Sequence, residues 1–70
     1  MSLTLETYTQ GDIYIEYEWD KYAPHYVVFV GKKQSNDLIA TLWTNRYVTK
    51  EQAKKSFKRQ VNKAKKGLLV

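Results

Sequence analysis

The stretch DIYIEYEW, residues Asp12 to Trp19, alternates apolar and polar positions along its whole length. Ile13, Ile15, Tyr17 and Trp19 fall on one side, and Asp12, Tyr14, Glu16 and Glu18 on the other. A period of two with β-branched and aromatic content marks a half-buried strand. It predicts a sheet with one face against a core and one acidic face in water.

Working outward, Leu3 and Leu5 alternate with Thr4 and Glu6, and TQGD (residues 9–12) reads as a turn, which suggests a first strand over about 3–8. On the other side DKYAP breaks the pattern, since Pro24 has no N–H for a central ladder position. HYVVFVG then forms an apolar strand over 25–31, KQSND a polar turn, and LIATLWT a strand over 38–44. The connections are too short for parallel crossovers, so the sheet is expected to be an antiparallel meander. Along residues 26–30, Val27 and Val30 cannot both face inward on a regular strand, so the facing of that strand stays open.

A helix is expected over about 50–66. Thr49 with Gln52 three residues on fits a capping box, and Val48 and Ala53 stand at hydrophobic-staple spacing. Gly67 sits where a helix ends in a left-handed residue. Ala53, Phe57, Val61, Ala64 and Leu68 recur at steps of four and three, covering an apolar stripe of about 80°. The fold class is therefore α+β: a three- to four-stranded antiparallel β-meander packed against one C-terminal amphipathic α-helix, with residues 1–70 as a single domain. Ile13, Ile15, Tyr17, Trp19, Val28, Val30, Leu42, Phe57 and Val61 are the expected core.

Charge is divided unevenly along this frame. Before Val48, four cations stand against six carboxylates, net −2; after it, eight stand against Glu51 alone, net +7. The formal +5 of the chain is thus a basic helix joined to a mildly acidic sheet. The helix cations spread over about 180° of the wheel, with Lys54, Lys58 and Lys65 along one edge of the apolar stripe and Lys55, Arg59 and Lys66 in another row. Such a cylinder of positive potential attracts polyanions. A lysine-rich helix face is also a common solubilising device, favoured by helix propensity and by the dipole at the C-terminus. Seven of the eight cations are lysines, which act as point charges, so backbone attraction is favoured over base reading.

Tyr26 to Phe57, YVVFVGKKQSNDLIATLWTNRYVTKEQAKKSF, places a strand, a turn and a strand before an aromatic and a TKEQA helix start. This arrangement resembles the arm-type DNA-binding domain of phage and transposon integrases, the tyrosine recombinases. The resemblance covers under half of the chain, and its motif largely encodes a helix cap and a core alanine. It implies a three-stranded sheet on a C-terminal helix, with the sheet's outer face entering the major groove. In that mode Lys32, Lys33 and Arg46 at the turns, with Thr41 or Trp43 on the third strand, would meet DNA beside Asp12, Glu16, Glu18 and Asp20.

Other chemistry finds little footing. The chain has no cysteine and one histidine, His25, so thiolate and histidine-cluster metal sites are not expected. Gly11, Gly31 and Gly67 stand alone, without a phosphate-binding loop, and Glu16 and Glu18 share a strand face rather than a cleft. Tyr14, Tyr22, Tyr26, Trp43 and Tyr47 would stack bases if exposed, as in sheet-based single-strand binders, and would otherwise be core. No apolar run approaches the ~20 residues of a membrane span, and MSLTLETYTQ lacks the basic start and apolar run of a signal peptide.

The expectation is a cytoplasmic, non-enzymatic module without cofactor, metal or small-molecule substrate. Its partner would be DNA or RNA, held by Lys54, Lys55, Lys58, Arg59, Lys63, Lys65 and Lys66, with Lys32, Lys33 and Arg46 at the sheet. The alternative is a protein-interaction module, a homo-oligomer that shares aromatics or a sheet edge to support a thin core.

Overall fold

A computed structural model describes residues 2–22 and 24–68, so Ala23 in the DKYAP break lies outside the described residues. Four strands, β1 (Ser2–Gln10), β2 (Ile13–Asp20), β3 (His25–Lys33) and β4 (Ile39–Tyr47), precede helix α1 (Lys50–Lys65). The strands form one sheet in the order β1-β2-β3-β4, every neighbouring pair antiparallel. The α+β meander expected from the periodicity is present, with four strands. β1, β3 and β4 run a little further than their sequence patterns indicated.

The turns follow from their residues. Gly11 and Asp12 close the first hairpin between Gln10 and Ile13, and Gly11 at φ 58 supplies the left-handed backbone that a two-residue hairpin turn needs. At the β3–β4 turn, Asp37 takes the left-handed region at φ 66, and its carboxylate lies 3.4 Å from Lys33 Nζ. Asp tolerates that conformation better than most non-glycine residues.

The core lies between the helix and the two central strands. Ile15 and Tyr17 of β2, Val28 and Val30 of β3, and Ala53, Phe57 and Ala64 of α1 are buried. Ile15, Val28 and Val30 are fully enclosed, and burying each such side chain stabilises by about 1.5–3 kcal/mol. The rings of Tyr17 and Phe57 lie 5.1 Å apart, tilted by 54°, within the favoured range for aromatic pairs. Ile13, Trp19 and Val61 are only partly buried. Trp19 lies across Tyr26, with ring centroids 4.7 Å apart.

The facing of β3 is settled by register. Tyr26, Val28 and Val30 pair with Trp19, Tyr17 and Ile15 on the helix side, so Val27 and Phe29 lie on the outer side. Leu42, expected in the core, is 46% exposed. The β3–β4 register passes from Val30↔Trp43 to Gly31↔Thr41, so Leu42 is the extra residue of a β-bulge and Trp43 takes the inward place. A simple count of alternation across residues 38–44 cannot register that slip.

The helix packs differently from its apolar stripe. Ser56 and Gln60 are buried beside Ala53, Phe57 and Ala64, whereas Leu68 is 66% exposed. At 100° per residue the buried arc from Ser56 to Val61 covers about 140°, wider than the apolar stripe and displaced toward Ser56. Tyr47 makes that displacement affordable, because its hydroxyl donates to Ser56 Oγ at 2.8 Å.

The caps are half as expected. Thr49 Oγ1 accepts from the Gln52 backbone N–H at 3.2 Å, but Gln52 returns no side-chain bond, and Val48 is 74% exposed rather than stapled to Ala53. At the far end Gly67, at φ 72, follows the last turn. Its N–H donates to the Ala64 carbonyl at 3.0 Å, and the Leu68 N–H donates to the Lys63 carbonyl at 2.8 Å. This is the paired-bond arrangement of a glycine-terminated helix.

Candidate nucleic-acid interface

The helix presents its charge away from the sheet. Lys50, Lys54, Lys55, Lys58, Arg59, Lys63, Lys65 and Lys66 are all exposed, while Ala53, Ser56, Phe57, Gln60 and Ala64 take the inward arc. The rows read from the sequence border opposite sides of the helix. Lys58 and Lys65 line a shallow hollow with Tyr8, Glu6 and Val61 on the β1 side. Lys55 and Arg59 line another with Tyr47 and Gln52 on the β4 side. Lys65 Nζ stands 5.8 Å from the Tyr8 ring centroid, a cation–π distance that steadies its stem without neutralising its charge.

Neutralisation by carboxylates would remove any attraction for polyanions. Among the described residues, no helix cation lies within ion-pair distance of a carboxylate, not even Lys58 or Lys65 across the hollow from Glu6. The described ion pair is Lys33 with Asp37, at the β3–β4 turn. Exposed lysines without a carboxylate partner stay open to a polyanion, whose condensed counterions they release on binding.

Of the three sheet cations proposed with them, Lys33 and Arg46 lie apart from this surface, whereas Lys32 lies on its side of the sheet. Lys33 is tied to Asp37 at the turn. Arg46 pairs in register with Val27 and so lies on the outer face, across the sheet from the helix. Lys32 pairs with Ile13 and is half-buried on the helix side near the end of β3. The outer face also carries Glu16 and Glu18 on β2, with Tyr14 beside them donating its hydroxyl to Glu16 Oε2 at 2.8 Å. Burial, then that bond and the nearby carboxylates, pushes the Tyr14 hydroxyl above its ordinary pKa.

The aromatics divide between packing and exposure. Tyr26, Trp43 and Tyr47 pack against the core, and Tyr14 leans on Phe29 with ring centroids 6.4 Å apart. Tyr22 alone of the five stacking candidates is strongly exposed, with Lys21 Nζ 5.5 Å from its ring centroid.

Sequence reasoning missed the buried polar pair Ser56 and Gln60. The available signal was their place one helical turn apart, beside Ala53 and Phe57. Among the described residues no three His, Cys, Asp or Glu side chains gather as a metal site would need, and no helix is long and apolar enough to cross a membrane.

No family model, curated protein or solved structure matches this chain. The residues themselves must carry the functional reading.

Proposed function

We propose that the chain is a small, non-enzymatic nucleic-acid-binding module that holds the phosphate backbone through the outward side of α1. Lys54, Lys55, Lys58, Arg59, Lys63, Lys65 and Lys66 carry the contact, chiefly as point charges that follow phosphates without reading bases. The single observation behind this reading is that all eight cations of the helix and its C-cap are exposed and none is paired with a carboxylate of the described chain. The groove-entering mode implied by the integrase resemblance is less favoured, because Glu16 and Glu18 lie on the face that would approach the phosphates.

Titrating short labelled duplex and single strands across a salt series tests it. A contact with six or more phosphates loses about 10³-fold or more in affinity between about 50 and about 200 mM salt. Absence of binding to any strand at the lowest salt overturns the reading.

A second reading, a protein-interaction module, is favoured by a different observation. The outer face of the sheet carries apolar side chains with no second layer of the described chain over them.

A further inference from the structure

The central strand β3 is apolar on both sides. Val28 and Val30 enter the core, while Val27 and Phe29 stand on the outer face, half-buried. Strands buried on both faces read as continuous apolar runs, and HYVVFVG is such a run in a sheet that has a helix on one side only. The outer apolar side chains are organised. Phe29 and Ile39 close over Gly31 so tightly that a Cβ there would meet the Ile39 Cγ2 methyl and lie 2.8 Å from the Phe29 ring, and Tyr14 leans on Phe29 from β2.

The charges bordering this strip are arranged in register. Glu18 of β2 pairs with Val27 of β3, and Val27 pairs with Arg46 of β4, so the three residues form one row across the sheet. Glu16, Phe29 and Thr44 form the next outward row. Acid thus lies on one side of the apolar strand and base on the other. Among the described residues, neither Glu18 nor Arg46 has an ion-pair partner in its own chain.

We propose that the outer face docks a second copy of this chain, sheet against sheet, about a two-fold axis running along β3 in the interface. Rotation about that axis keeps each residue at its height and exchanges left for right. Val27 and Phe29 then meet their own counterparts at the centre, and Glu18 of each copy faces Arg46 of the other. A two-fold axis across the strands would instead set the β2 acids on each other. Docking a basic helix on this face would satisfy Glu18 but would place lysines, not apolar side chains, over Phe29. The isologous stack satisfies both charge and apolar strip.

Three overlapping strands spaced by about 4.8 Å and about 30 Å long give a footprint of roughly 450 Å² per copy. Two such footprints belong to the class of weak, reversible interfaces, so the dimer assembles at high protein concentration. The basic helices remain on the two outer sides, so this association stands or falls independently of nucleic-acid binding.

Sedimentation equilibrium without nucleic acid, up to millimolar protein, is the test, with circular dichroism verifying the fold of each variant. Wild-type chain forms a concentration-dependent dimer. Glu18→Arg and Arg46→Glu, each alone, set like charges opposite and raise the dissociation constant on the order of tenfold or more. An equimolar mixture of these two variants restores the dimer, because every facing pair is then opposite in sign. Val27→Lys abolishes it. A wild-type monomer at millimolar concentration, or a mixture no tighter than its separate components, overturns the proposal.

Discussion

The Tyr47 hydroxyl donates to Ser56 Oγ at 2.8 Å and accepts from the Asn45 side-chain amide at 3.3 Å, joining the end of β4 to the buried side of the helix. The two ends of this bond are unequal. Ser56 is buried, whereas Tyr47 is only half-buried and keeps Asn45 as a neighbour. Removing the hydroxyl by Tyr47→Phe strands a buried serine and costs about 1–2 kcal/mol. Ser56→Ala removes the stranded group and improves helix propensity, so its cost stays below that of Tyr47→Phe. Urea unfolding of the two variants checks the order.

Phe57 is the helix residue on which the core depends. It meets the Tyr17 ring at 5.1 Å and is 3% exposed. Phe57→Ala costs about 3–5 kcal/mol, while a core in a chain this small rarely supplies more than about 3–5 kcal/mol. The variant is expected to lose cooperative thermal unfolding, read by circular dichroism. Leu42→Ala, at the bulge, is expected to leave the midpoint almost unchanged.

Gly31 tests the outer face. Its φ is ordinary, so the requirement is space: an added Cβ would lie 2.8 Å from the Phe29 ring. Gly31→Ala forces Phe29 and Ile39 apart and destabilises by about 1–3 kcal/mol. A neutral result in thermal unfolding would mean that the half-exposed Ile39 yields without cost.

Two tyrosines should titrate late. Burial first, then the bond to Glu16, raises Tyr14; burial first, then Glu6, raises Tyr17. The folded state favours the neutral hydroxyl, so the stability each contributes is fully present below the unfolded tyrosine value of about 10 and is lost as pH climbs through the raised folded value. Ultraviolet titration of phenolate should show a late fraction that vanishes in denaturant, and Tyr17→Phe should flatten the alkaline loss of stability.

The two helix rows separate on substitution. Neutralising Lys55 and Arg59 to Gln should weaken nucleic-acid binding and lower the salt slope by about 2, and Lys54 with Lys58 should do the same if the strand follows the β1 side. Lys33→Gln, already tied to Asp37, should change little. Anisotropy titrations at fixed low salt separate the three variants.

Much of this architecture was legible in the sequence, and the reasons are particular. DIYIEYEW announces its facing because every second residue is apolar, and Gly11 and Gly67 mark backbone that only a left-handed residue accepts easily. Leu42 was misplaced because alternation assumes a regular ladder, and a bulge shifts facing without changing composition. Ser56 was missed because its burial depends on a hydroxyl nine residues earlier in the chain. The helix cations stood out by charge density, yet strand register was needed to put Arg46 on the opposite face of the sheet from them.

Both outer strands carry an interruption: the ladder slips at Leu5 in β1 and at Leu42 in β4. A kinked border presents a poor template for another chain's backbone, so end-to-end sheet growth into fibrils is discouraged on either flank. Concentrated solutions should therefore stay clear of β-rich precipitate, and regularising β4 by deleting Leu42 should make the protein prone to it.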